Sequence, residues 1–500
     1  MKRDIVTARS RAAASIRRAT AITTIALFAS AGAARAAQPA SDAQPSSDIQ
    51  ALIDANAKLT DEVHDLKTKV DTLEARGTST TQPSVAEIVA AADAVRADAN
   101  RRSLALSDSD TLLSGYDPTV GFVLRSDDGN FTFHPGLAID IRHMDSYSEK
   151  IPPGGNGEVA KTGYVTQDGF DITRLRITAD GHYTPRFTYY LQIADDQGQG
   201  FTLLDAYGTY RVGEDSPWYI RAGQWKDPVW HERTISEARL PEIDRPVVES
   251  LIGGGQTSRI QGAALLFDRG PLREQLVAHD GYNSINTKFF DAGGIAAGVG
   301  GGAGVTPTNY GFTSRTDYLV IGDRTSDYNP YTQYDNGISA LGARQNILVV
   351  GLGADYSEAG ANNVLFHTID AQYDTTGGLS IYGAYLGSYR QLRANQGVTP
   401  GYYYDPGFQI QAGYLVTAKL EPYVRYDYTY LAGGSATLAD HAVQEITVGA
   451  NYYIHGQNLK LSVDGIWLPD GAPADIDALG ILKDSGNNEF VLRAQLQLSI

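Results

Sequence analysis

Five arginines, Arg174, Arg176, Arg211, Arg221 and Arg259, fall on the polar side of stretches in which apolar and polar residues alternate. Alternation with period two places them on one face of a strand. A guanidinium stays charged when crowded, so a row of them along an enclosed wall sets up a field that draws anions. The alternative for each is an ion pair with Asp180, Asp205 or another nearby acid, which cancels that field. The segment 227–256 is the candidate for a loop folded inward over this wall. It adjoins Trp225, carries Trp230, His231, Arg233, Arg239 and Arg245, and ends in Gly253, Gly254 and Gly255. Ile235, Arg239 and the break at Pro241 predict a short helix within it. Its three arginines stand against Asp227, Glu232, Glu237, Glu242, Asp244 and Glu249, a net charge of −3 that does not make an anion filter by itself.

Covalent chemistry finds little support. The chain has no cysteine, which removes disulfides, thiol nucleophiles and thiolate metal sites. His134, His143, His182, His279 and His367 show no spacing that groups them with a serine and an acid in a nucleophilic triad. The glycine-rich run 293–304 is not followed by Lys-Ser/Thr, so it reads as a loop and not as a phosphate cradle. The acidic loop residues are scattered. No catalytic residue, metal or cofactor is expected, and a net charge of −17 argues against nucleic acid as a partner.

The elements that would position the arginines are strands. Residues 490–500 alternate to the end of the sequence, with Phe490, Leu492, Ala494, Leu496 and Leu498 on one face and Arg493, Gln495 and Gln497 on the other. Leu175, Ile177 and Ala179 alternate with Arg174, Arg176 and Asp180; Tyr426 and Tyr428 alternate with Arg425 and Asp427. Full charges on the enclosed face suit a water-filled lumen, and no stretch beyond the N-terminal region approaches the length of an apolar helix that spans a bilayer. Short turns near Pro185, 213–217, 269–271, 419–422 and 455–458 separate longer loops near 148–168, 227–256, 282–313, 322–344, 391–405 and 469–487. The expected fold is an all-β transmembrane barrel of about sixteen antiparallel strands over residues 115–500, with all the longer loops at one end. Tyr189, Tyr190, Tyr382, Tyr385, Tyr389, Tyr452 and Tyr453 lie near strand ends and are expected in aromatic girdles.

Residues 1–36 have a signal-peptide pattern: Lys2, Arg3, Arg9, Arg11, Arg17 and Arg18 precede the apolar stretch 19–33 and the Ala34, Arg35, Ala36 site. In the following segment, 37–77, Ile49, Leu52, Asn56, Leu59, Val63, Leu66, Val70 and Leu73 recur at alternating intervals of 3 and 4. This is the seam of a coiled-coil stalk, with Asn56 as a register-setting polar position. Residues 78–114 read as a linker and an alanine-rich helix.

The run Asp205, Ala206, Tyr207; then Tyr219, Ile220, Arg221, Ala222, Gly223, Gln224, Trp225, Lys226, Asp227, Pro228; then Ser258, Arg259, Ile260, Gln261, Gly262; and His279, Asp280, Gly281, Tyr282, Asn283 resembles the phosphate-selective porin O/P family. Residues 116–131 resemble the first hairpin of members with an N-terminal coiled coil. The resemblance covers about 115–283. It implies a sixteen-stranded homotrimeric outer-membrane porin, with the loop after Lys226 in the lumen and Arg221, Lys226 and Arg259 as wall residues guiding anions or phosphate. The inward loop departs from the family in having no lysine cluster. Two functions are therefore expected: passive ion transport and diffusion of small hydrophilic solutes, or a structural tether that joins the barrel, through a periplasmic stalk, to the cell wall.

Overall fold

The computed structural model describes residues 112–117, 121–148, 165–198, 200–252, 258–281, 283–286, 294–295, 306–307, 310–359, 362–392, 401–432, 442–473, 481–482 and 488–500. Of the signal-peptide, stalk and linker segments expected over 1–114, all but Leu112, Leu113 and Ser114, which open a strand at Leu112–Asp117, lie outside them, as does nearly all of the glycine-rich run.

Sixteen strands close into an antiparallel barrel: β3 (Thr132–Ser148), β4 (Val165–Thr184), β5 (Phe187–Ala194), β6 (Thr202–Arg211), β7 (Trp218–Lys226), β8 (Arg259–Arg269), β9 (Leu272–His279), β12 (Tyr310–Ile321), β13 (Ile347–Ala359), β14 (Asn362–Asp374), β15 (Leu379–Leu392), β16 (Gly401–Tyr414), β17 (Leu420–Tyr430), β18 (Ala442–His455), β19 (Leu459–Leu468) and β20 (Glu489–Ser499). Each pairs with its neighbour in sequence, and β20 pairs with β3 from Glu489 opposite Ser148 to Ser499 opposite Ala138. The Ile500 backbone exchanges two further hydrogen bonds with Leu137, at 2.7 and 2.8 Å. Closure leaves no open edge, the condition for backbone to cross hydrocarbon. A hairpin of β1 (Leu112–Asp117) and β2 (Gly121–Ser126) runs into β3 through a turn at 127–130, and the two-residue strands β10 (Gly294–Ile295) and β11 (Thr306–Pro307) pair with each other.

Burial along the strands is inside-out. On β16, Asp405, Gln409 and Gln411 are buried, whereas Phe408, Ile410 and Tyr414 are exposed, Ile410 at 53%. On β20, Arg493, Gln495 and Gln497 are buried and Leu492 is 58% exposed. A soluble sandwich would reverse this arrangement, because burying apolar surface is what stabilises it in water. Here the apolar face is left for lipid, and the polar face lines the interior. The tyrosines divide between the faces. Tyr385, Tyr389 and Tyr452 point outward, but Tyr190, Tyr382 and Tyr453 face the lumen, Tyr382 wholly buried, so the girdle expectation is corrected for these three.

A second correction concerns 322–344, expected among the long loops. Following strand directions, the 322–346 connection leaves β12 at the end where 185–186, 270–271, 375–378 and 456–458 make short turns. The connection at the opposite end, between β13 and β14, is only the two residues 360–361. Connection length alone does not say which end of a barrel a segment leaves from. The segment folds inward around the helix Pro330–Asp335, with Pro330 in its first turn and the Asn329 side chain accepting from the Tyr331 amide at 3.2 Å.

Candidate functional site: a lumen narrowed from both ends

The loop after β7 enters from the long-loop end and holds two short helices, α1 (His231–Thr234) and α2 (Val247–Ile252), with a 3-10 turn at Glu237–Arg239; the helix Pro330–Asp335 is α3. Both inward helices of the loop are too short to stand alone, so the wall must hold them. Val229, Trp230, Ile235, Leu240, Val247, Val248, Leu251 and Ile252 are buried with Phe366, Leu386, Val443, Ile466 and Leu468. The lumen is thus filled on the β14–β20 side by an apolar cluster that contains the loop. The Trp230 indole donates to the Tyr382 hydroxyl at 2.9 Å. On the inner face of β13, a Cβ on Gly353 would overlap the Val229 carbonyl, so only glycine lets the loop's root lie so close.

Polar contacts then fix the register of the loop. Asp244 accepts from three arginines: Arg142 at 2.5 Å, Arg174 at 2.5 Å and Arg493 at 2.9 Å. Burial pushes its carboxyl up, but the three guanidinium groups overcome this and hold it below the usual range. Lys460 donates to the Leu240 carbonyl at 2.7 Å, and Asn451 to that of Pro241 at 2.7 Å. The first free amides of α2 are met by the wall, Val247 by Glu445 at 2.8 Å and Val248 by Asp427 at 3.1 Å.

The segment around α3 meets this loop from the other end. The His231 ring stacks on Tyr334, centroids 3.6 Å apart, and burial holds its pKa down near 4. Arg239 bonds to Asn336, and Gly337, at φ +139°, lies against the Arg239 carbonyl. Arg315 joins both segments to the wall, through a bidentate bond to Asp370 at 2.6 and 2.8 Å, a bond to the Tyr334 hydroxyl at 3.1 Å and one to the Val229 carbonyl at 3.5 Å.

A cavity of about 690 Å³ lies between the loop and the β5–β9 wall. It reaches from Pro185 and Arg186 in a short turn to Pro228, Thr234 and Ser236 in the loop. Most of the expected wall arginines are neutralised. Arg174 holds Asp140 at 2.9 Å besides Asp244, Arg176 holds Asp196 at 2.8 Å and Glu237, and Arg259 grips Asp205 at 3.0 and 3.1 Å. Lys226 donates to the Ile235 carbonyl at 2.9 Å and lies 3.7 Å from Glu237. In the loop, Arg233 pairs with Glu249 at 2.7 Å and Arg245 with Glu237 at 3.1 Å, while His231 is 3% exposed. Burial pushes the Glu237 carboxyl up, yet Arg176, Lys226 and Arg245 hold it well below the usual range.

Arg211 and Arg221 differ. Arg221 lies over Tyr207 at 4.6 Å and Trp225 at 5.9 Å and donates Nε to Thr209 at 3.1 Å. Arg211 lies over Tyr219 at 5.7 Å and donates to the Ser216 carbonyl. Arg186, which the sequence reading did not single out, lies over Tyr210 at 5.4 Å. None of the three has a carboxylate within ion-pair reach among the described residues, and all three line the cavity. The sequence placed Arg425 and Arg493 on polar strand faces without making them candidates, and Arg142 and Arg315 were not singled out. Their inward parity on alternating strands was the available signal.

No protein-family model matches the chain, and no curated protein sequence matches it. Among solved structures, the chain is similar to the anion-selective porin from Comamonas acidovorans, with 12% identity, TM-score 0.48 and coverage of 74% of this chain and 100% of that one. It is also similar to the outer membrane channel DcaP of Acinetobacter baumannii, with 12% identity, TM-score 0.45 and coverage of 75% and 99%. A third likeness is to OmpF of Salmonella typhi in complex with daunomycin, with 15% identity, TM-score 0.43 and coverage of 74% and 99%. Similarity this low leaves the function to be read from the barrel's own residues.

Proposed function

We propose that the chain is an outer-membrane porin that passes small hydrophilic solutes by diffusion and prefers anions. The observation that carries this reading is the combination of an outward apolar face with an inner cavity in which three of the lining arginines, Arg186, Arg211 and Arg221, have no carboxylate partner among the described residues. Elsewhere in the lumen, acids consume the guanidinium groups, and a neutralised pair adds little to the field felt by a passing ion. Each free arginine instead rests on an aromatic ring, which holds it in place without cancelling its charge. Inorganic phosphate is one anion of suitable size, and a homotrimer in the outer membrane is the expected assembly. The test is the conductance of purified protein in a planar bilayer: single-channel steps whose reversal potential in a salt gradient follows the anion support the reading. A folded barrel that conducts nothing overturns it.

A further inference from the structure

The loop's charges do not balance where it meets β16–β18. On the wall, Asp427 stands directly opposite Glu445, with Arg425 two residues away on the same face. From the loop, Glu232 and Glu242 are pressed against this patch, Glu232 against Gln409 and Glu242 at 3.4 Å from Gln411 and 3.9 Å from Arg425. All four carboxylates are 1% exposed or less. They share one guanidinium, a surplus of three negative charges if every group ionises. Arg425 is already engaged with Glu445 at 2.7 Å and with the Asp244 carbonyl at 2.9 Å. One oxygen each of Glu232, Glu242 and Asp427 has no hydrogen-bond partner among the described residues. The other groups facing Glu232 are Arg245 and Glu249 from the loop and Tyr382 from β15; those facing Glu242 are Glu421 and Tyr423 from β17 and Lys460 from β19. None of these supplies a free cation that closes the balance, since Arg245 is held by Glu237 and Lys460 by the Leu240 carbonyl.

We infer that this patch is a proton-operated latch: with Glu232 and Glu242 protonated the loop stays docked on β16–β18, and their ionisation loosens it. Burial raises Glu232 to about 7 and Glu242 to about 8, from an ordinary value of 4.5. The docked loop therefore binds more protons than a released one between pH 4.5 and about 8. Docking is strongest at the acid end, weakens as pH rises through that window and levels off above it. The latch belongs to the loop whatever solute passes.

The test is hydrogen exchange of the 229–252 amides in the folded wild type and in Glu232→Gln/Glu242→Gln, which keeps the shape and removes the titration. The ratio of wild-type to variant opening constants is expected to rise about tenfold per pH unit for each retained proton, so at least about a hundredfold between about pH 5 and 7. A ratio that stays flat overturns the latch. Should the variant not fold, the wild type is compared with itself: loop amides must gain opening relative to the Thr375 and Gly378 amides, which donate to the Leu379 and Thr375 carbonyls. Parallel behaviour of the two sets overturns the inference.

Discussion

Asp244→Asn tests how the loop is held. The substitution keeps the side chain's size and one acceptor but removes the charge shared by Arg142, Arg174 and Arg493. Arg174 retains Asp140 at 2.9 Å and Arg493 retains Asp464 at 2.6 Å, so neither is left without a carboxylate. Among the described residues Arg142 keeps only Gln495, at 2.9 Å, and its side chain is fully buried. Removing one partner of a buried pair costs about 3–5 kcal/mol, and with one of three cations stranded the lower end, about 3 kcal/mol, applies. The assay is a double-mutant cycle with Arg142→Gln, read by chemical unfolding in detergent and by hydrogen exchange of the 240–252 amides. Removing Arg142 once Asp244 is neutral should cost about 1 kcal/mol, a coupling of about 2 kcal/mol. Additive costs, or a loop whose exchange is unchanged in Asp244→Asn, would refute the reasoning that this aspartate anchors the loop.

Three further outcomes follow from the geometry. Trp230→Ala opens a void beside Tyr382 and strands its hydroxyl, so it should lower stability by about 3–5 kcal/mol and raise single-channel conductance, measured by unfolding and in bilayers. Ile410→Arg puts a charge on the lipid face and should cost about 2–4 kcal/mol if that position lies near the bilayer midplane, read by reversible folding into vesicles; Gln411→Arg on the inner face should not show this lipid-dependent cost. Arg221→Gln should lower the anion-to-cation permeability ratio without changing stability by more than about 1 kcal/mol, because Arg221 makes no ion pair among the described residues.

The barrel was legible because its signal is local. Period-two alternation can be read within ten residues, and the inward parity of Arg174, Arg176, Arg211, Arg221 and Arg259 needed nothing more. The inward loop was legible from its length, tryptophans and terminal glycines. What the sequence hid is pairing across the chain. Asp244 meets residues at 142, 174 and 493, a set that only closure of β20 on β3 brings together. Which arginines stay free depends on the same long-range partners. The segment around α3 was misplaced because a long connection looks the same at either end. Tyr190, Tyr382 and Tyr453 were misassigned for a related reason: tyrosine suits both a membrane girdle and a lumen with hydrogen-bond partners.

The reversal potential of the purified barrel in a potassium chloride gradient bears most directly on the channel reading, measured beside a variant in which Arg186, Arg211 and Arg221 are all glutamine. The wild type should conduct anion-selectively, and the variant should shift toward cation selectivity. Conductance indifferent to these three arginines, or cation selectivity in the wild type, would contradict the claim that they set the field of the lumen.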